Sequence, residues 1–338
     1  MRILVVGGSG FIGTRLIGVL ADSAHDIVNY DLRPSAAYPS LSLIGDIRDT
    51  DALASACASC DVVVNLAAEH RDDVRPSSLY ASVNVDGARS LTQAAARQSV
   101  RRVVFTSSVS VYGLDQPHPN EESTPAPFNE YGRSKLEAES VLGTWADADP
   151  SRSLVVVRPC VVFGEDNRGN VYNLARQIAS GHFLPVGDGS NRKSMAYVGN
   201  IANYLATTIG ARPGRHLVNY ADKPDLTTRE LVTIVTDNLP LTPRRTVTVP
   251  VPLALAAGHG FDALARLTGR SFPISAVRVR KFLAETTIDT TRLEGSGFLP
   301  SYTLTDGLRR TLAAEFPDLA AGPAPRLSRP GALRDEET

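Results

Sequence analysis

The sequence predicts an α/β protein: a doubly wound parallel sheet with a smaller C-terminal α/β lobe. Three observations carry this. Up to about Gly164, short β-branched runs alternate with longer helical patterns, as in successive βαβ units. The runs are almost continuously apolar, as strands covered on both faces must be. Beyond Gly164 the pattern loosens into Pro-punctuated and loop-rich stretches, and 338 residues leave room for a second lobe.

In chain order, the expected strands are residues 3–7 (ILVVG), 26–31 (DIVNYD), 41–46 (LSLIGD), 61–68 (DVVVNLAA), 102–108 (RVVFTSS) and 154–159 (LVVVRP). Helical patterns fill residues 11–23 and 77–98 between them. Residues 187–194 (GDGSNRKS) read as a loop, 198–209 as a helix, and 216–222 (HLVNYAD) as a strand returning to the sheet. Thr227 and Glu230 have capping-box spacing ahead of a further helix. The expected division is residues 1–164 for the first domain, with returning segments near 195–222, and 165–320 for the lobe. Residues 322–338, rich in Pro and charge without periodicity, read as a disordered tail.

Composition narrows the function. Thirty-five basic side chains against 36 acidic ones give a net charge of -1, so no global charge draws the chain to nucleic acid or a membrane. Cys57 and Cys60 form a CxxC, but no second pair or His cluster offers the remaining ligands of a zinc site, and no metal is expected. Three cysteines without a framework fit a reducing compartment, and no apolar run reaches the length of a membrane span. A cytoplasmic location is the expectation.

MRILVVGGSGFIG places Gly7, Gly10 and Gly13 between a strand and a helix. That arrangement aims backbone N–H groups and the positive helix end at a pyrophosphate. Gly7 turns the chain, Gly10 admits the phosphates, and Gly13 allows close helix packing. Asp31, about 20 residues on at the end of the second strand, suits ribose hydroxyls and repels a 2′-phosphate. The fold is therefore Rossmann-type, and NAD is favoured over NADP. Arg33 keeps the 2′-phosphate alternative open.

Tyr131 and Lys135 in NEYGRSKLEAE are four residues apart on a helical pattern and share a face. A neighbouring ammonium favours the phenolate of a tyrosine, whose ordinary pKa is about 10. Tyr131 can then accept a hydroxyl proton. Ser108, at the end of the fifth strand, would hydrogen-bond the same hydroxyl, and Lys135 would also hold the nicotinamide ribose.

With these residues in hand, the chain resembles an extended short-chain dehydrogenase/reductase of the nucleotide-sugar epimerase and dehydratase branch. The resemblance rests on GGSGFIG, GDIRD, NLAA, SVNVDGA, SSVSVYG, YGRSK, VVRPCVVFG and TTRLEGSGFLPSYTLTDGL, from Met1 to about Phe316. It implies that Phe11 and Ile12 lie in the cofactor loop, that Asp46 and Ile47 flank the adenine, that Ala67 and Ala68 line the groove, and that Asn84 supports the nicotinamide side. It also implies that Asn170, Arg192 and Lys193 meet the nucleotide diphosphate, with Arg278 and Arg280 as further candidates, and that a homodimer forms through paired helices. Dehydratases of this branch carry Asp-Glu directly after the catalytic Ser or Thr. Val109 and Ser110 stand there instead, which removes the acid needed for elimination. What remains is one base, one hydrogen-bond donor and a retained NAD, as a 4-epimerase of a UDP-hexose or UDP-N-acetylhexosamine working through a 4-keto sugar requires. Val161 replaces an Asn of many members, and Asn200 an Asp. Glu69 and His70, just past the fourth strand, are candidate sugar-binding or auxiliary acid-base groups. The alternatives are a reductase or atypical dehydratase of a nucleotide sugar, and a non-catalytic dinucleotide sensor.

Overall fold

The computed structural model describes residues 1–71, 74–114, 116–239, 248–268 and 276–317. Its elements in chain order are β1 Arg2–Val6, α1 Phe11–Ala21, β2 Asp26–Asp31, β3 Ser42–Ile44, α2 Thr50–Ala56, β4 Val62–Asn65, α3 Ser78–Tyr80, α4 Gly87–Arg97, β5 Arg102–Thr106 and α5 Glu130–Asp147. There follow β6 Ser153–Pro159, β7 Val161–Phe163, α6 Asn170–Ala179, β8 Arg192–Tyr197, α7 Val198–Thr208, β9 Gly214–Tyr220 and β10 Asp222–Thr227. The last helices are α8 Thr228–Asn238, α9 Val251–Thr268, α10 Ala276–Leu283, α11 Thr291–Gly295 and α12 Leu304–Glu315.

Seven strands form one sheet in the order β3-β2-β1-β4-β5-β6-β9, and every pairing in it is parallel. Strand alternation assigns each apolar residue a face. Leu4, Val6, Val63 and Phe105 pack with Leu53, Leu91 and Leu142 on one side. Ile3, Val5, Val62 and Val64 pack with Leu16, Ile17, Ile201 and Leu205 on the other. The order reverses between β1 and β4, which opens a crevice at the carboxyl ends of the strands.

A second sheet, β10-β8-β7, grows out of the first. Only Cys160 separates β6 from β7, and only Ala221 separates β9 from β10. The Cys160 N–H donates to the Tyr220 carbonyl at 3.0 Å, so both crossings lie side by side. The helices α6, α8 and α12 cover this sheet through Val171, Leu231, Val235 and Leu308.

Several expected boundaries shift. Residues 39–41 form a 3-10 turn and β3 is only three residues long. The 77–98 helix passes through a π-helical turn at Ala81–Asp86. The expected loop at 187–194 ends early because β8 begins at Arg192, paired with Thr227. The capping box at Thr227 and Glu230 forms. The 322–338 stretch lies outside the described residues. Cys57 and Cys60 are buried between α2 and the sheet, and burial pushes the Cys57 thiol up to about 12. Among the described residues no helix is long and apolar enough to cross a membrane, and no cluster of three or more metal-ligating side chains occurs.

Candidate active site

A cleft of about 450 Å³ opens over the carboxyl ends of β1, β2, β4, β5 and β6. Its floor at β1 is the glycine turn. Gly7 has φ +80°, and a Cβ there would stand 2.6 Å from the Ala67 nitrogen. A Cβ on Gly13 would stand 2.5 Å from the Gly8 Cα, so the turn closes against α1 only without side chains. Gly10 is the N-cap of α1, leaving the first backbone N–H groups of that helix facing the cleft. Phe11 and Ile12 also line it.

At the end of β2, the Asp31 carboxylate accepts N–H bonds from Ser9 and Arg33, both at 3.1 Å. This ties the acid to the glycine turn. The Arg33 side chain is exposed and does not line the cleft, although its carbonyl accepts from Ser9 Oγ at 2.7 Å. Asp46, Ile47 and Arg48 close this end. The hydrogen-bonded Arg48 guanidinium, 2.5 Å away, holds the Asp46 carboxyl below the usual carboxylate range. Tyr30 fills the space left by Gly45, where a Cβ would sit 2.3 Å from its ring, and burial pushes its phenol up to about 12.

The candidate catalytic side chains line the cleft farther along. Ser108, Tyr131 and Lys135 all line the cleft, with Ala67, Ala68, Glu69 and His70 across from them. Asn129 caps α5 through the Gly132 N–H at 2.8 Å, which starts the helix so that Tyr131 lines the cleft and Lys135 reaches β5. Lys135 is fully buried. Its Nζ donates to the Thr106 carbonyl at 2.8 Å and lies 4.7 Å from the Phe105 ring centroid. Burial pulls its ammonium down to about 7, against the opposing pull of Glu139. Ser108 Oγ accepts from the Ser110 N–H at 3.1 Å, and Val109 to Val111 form a single 3-10 turn without an acid.

Asn84 sits behind this wall rather than in it. It is buried, and its amide accepts from the Glu69 N–H at 2.9 Å and donates to the Glu69 carbonyl at 3.0 Å and to Ser134 Oγ at 2.8 Å. Ser134 in turn donates to the Tyr131 carbonyl at 2.9 Å. The π-helical turn thus pins both the Glu69 loop and the first turn of α5. Glu69 has Arg71 3.6 Å away, and His70 is exposed at the mouth.

The lobe candidates do not gather in the cleft. Asn170 is exposed at the start of α6, and Asn167, anchored to the Val162 carbonyl at 3.1 Å, lines the cleft instead. Arg192 and Lys193 are adjacent on β8, so strand alternation sends them apart. Arg192 donates to the Asp225 carbonyl at 3.0 Å, and Lys193 to the Ala284 carbonyl at 2.8 Å. Burial draws the Lys193 ammonium down to about 8. Arg280 is exposed on α10 and outside the cleft lining, while the Arg278 side chain lies outside the described residues. Sequence reasoning missed Leu32, Arg48, Thr106, Pro159, Cys160 and Asn167 as lining residues. Their common signal is position at or just past a strand's carboxyl end.

The cleft fits a dinucleotide on its own features. The glycine cradle leaves no room for a Cβ, Asp31 offers acceptors at the ribose position, and the buried Thr106 Oγ1 in the wall has no protein partner.

Comparison with known proteins agrees with this geometry. The model of the NAD dependent epimerase/dehydratase family matches residues 3–219. The N-acetyl-alpha-D-glucosaminyl-diphospho-ditrans,octacis-undecaprenol 4-epimerase of Escherichia coli O157:H7 is 48% identical over 317 residues, 93% of this chain and 95% of that protein. The UDP-glucose 4-epimerase of Vibrio cholerae is 29% identical over 92% of this chain and 94% of its own. Among solved structures, MoeE5 in complex with UDP-glucose and NAD is 26% identical, with a TM-score of 0.72 over 93% of this chain and 98% of that one.

Proposed function

Because this chain belongs to the NAD-dependent epimerase/dehydratase family, we propose that it inverts C4 of an N-acetylhexosamine held through a diphosphate. The observation that carries the reading is the convergence of Ser108, Tyr131 and Lys135 in one cleft with the glycine turn, next to a 109–110 position lacking any acid. The glycine turn and Asp31 would hold NAD, whose chemistry there would be reversible hydride acceptance. Tyr131 removes the C4 hydroxyl proton, Ser108 hydrogen-bonds the same oxygen, and the Lys135 ammonium stabilises the phenolate. Glu69 and His70 are placed to meet sugar hydroxyls at the mouth.

Two carriers suit the diphosphate. A uridine carrier matches the sequence expectation and the UDP-glucose 4-epimerase of Vibrio cholerae. A polyprenyl carrier is favoured by the 48% identity to the Escherichia coli enzyme, whose substrate is an undecaprenyl-linked N-acetylglucosamine. The same reading takes the protein as a cytoplasmic homodimer of carbohydrate biosynthesis. It also takes residues 1–164 with the 195–222 return as the cofactor domain, and most of 165–320 as the substrate lobe.

The test is turnover of UDP-N-acetylglucosamine and of detergent-solubilised N-acetylglucosaminyl-diphospho-undecaprenol, read by product separation. Interconversion without net NADH formation is expected with at least one of them. Steady NADH consumption on a keto sugar would assign a reductase instead. Tyr131→Phe should cost about 10²–10⁴-fold in rate with NAD still bound.

A further inference from the structure

The even charge of the whole chain conceals a segregated segment. Residues 240–283 hold seven of the 35 basic side chains and one of the 36 acidic ones, Asp262, leaving 28 basic against 35 acidic in the remainder. Within that segment α9 exposes Pro252, Leu253, Ala256, Ala257, Gly260 and Leu264, with the exposed His259 at the edge of the stripe. At about 100° per residue these positions fall on one face, while the buried Ala254 and Gly258 lie opposite. Leu253 is 62% exposed and Leu264 42%. The Val249 N–H donates to the Pro185 carbonyl at 2.8 Å, which brings the chain just before α9 beside the segment that holds Leu184, 61% exposed.

We propose that this face seats the protein on an anionic lipid bilayer, with the α9 stripe at the headgroup boundary and the net positive charge of the 240–283 segment drawing it to lipid phosphates. An apolar helix face within a segment of net positive charge suits a helix lying in the interface plane. The charge segregation complements an anionic surface and not a second copy of the same positive segment. The helix pair also adjoins the substrate lobe. Asn191 Nδ2 and Lys193 Nζ donate to the Phe282 and Ala284 carbonyls at the end of α10, at 2.9 and 2.8 Å. The proposal rests on the polyprenyl-carrier reading, whose sugar diphosphate lies in the headgroup plane, and it departs from the expectation of no membrane partner drawn from net charge alone.

The test is cosedimentation with vesicles of phosphatidylglycerol and phosphatidylethanolamine, with phosphatidylcholine vesicles as control, at low and high salt. Expected are salt-sensitive binding to the anionic vesicles and its loss by about tenfold or more in Leu253→Glu/Leu264→Glu. The milder Leu253→Gln/Leu264→Gln pair serves if the first variant misfolds. Either variant should keep wild-type turnover of the detergent-solubilised polyprenyl substrate and lose turnover of the same substrate embedded in vesicles. Wild-type protein that stays in the supernatant, or variants that sediment as wild type does, overturn the proposal. A variant that halves the oligomer mass assigns the face to a second copy and overturns it too. Absence of turnover in detergent defeats the polyprenyl reading, a result separate from sedimentation.

Discussion

At the residue scale, the glycine turn is held by contacts that leave no slack. Gly13 lies so near Gly8 that one methyl group must displace backbone rather than a movable side chain. Overpacking of this kind costs about 1–3 kcal/mol. Gly13→Ala is expected to lower the unfolding free energy by that amount and to weaken NAD binding, measured by denaturant titration and by NAD calorimetry. Unchanged NAD affinity would mean that α1 does not need its present distance from the turn. The glycines, Asp31, Ser108, Tyr131 and Lys135 were legible in the sequence because each is marked by local spacing. Thr106, Cys160 and Asn167 were not, because they meet the cleft only when separate strands end at one edge.

At the element scale, α5 carries Tyr131 and Lys135, the proposed catalytic pair, together with its own electrostatic support. Glu139, one turn after Lys135, accepts from Ser107 Oγ at 2.5 Å and from Arg158 Nε at 2.9 Å. Its pull upward on Lys135 is smaller than the pull of burial downward. Between about 7 and the ordinary 10.5, the unfolded chain holds a proton that the folded chain has shed, so this group's contribution to stability rises with pH across that window. Lys135→Met should therefore raise the Tm of cofactor-free protein most at pH 7 and below, with the gain shrinking toward pH 10, while turnover is lost. Thermal scans of both proteins across that range check it, and a pH-independent gain would contradict the burial argument. Strand alternation explains why Arg192 and Lys193, neighbours in sequence, hold different partners in space.

At the scale of the whole molecule, the two sheets share strands across single-residue crossings at Cys160 and Ala221. The buried Arg158 joins Glu139 of α5 to Tyr112, whose hydroxyl donates to Asn219 of β9 at 2.8 Å. Lobes connected in this way should unfold together. Fluorescence of the single tryptophan, Trp145 on α5, and far-UV circular dichroism should give coincident transitions. NAD at a hundred times its Kd should move both by about 2.7 kcal/mol. Separated transitions would show that the small sheet folds on its own.

The sequence by itself determined the parallel α/β class, the glycine turn, the acid at the end of the second strand and the spacing of the Tyr-Lys pair. Each is written within one helix, one strand end or one βαβ unit, where period and spacing act directly. Tertiary structure decided which residues share the cleft, why Asn84 works from behind it, and how the lobe candidates disperse. It also gathered an apolar face on α9 within a segment whose charge the chain average hides. Those properties depend on which strand ends and helix faces are brought side by side, and spacing along the chain does not encode that.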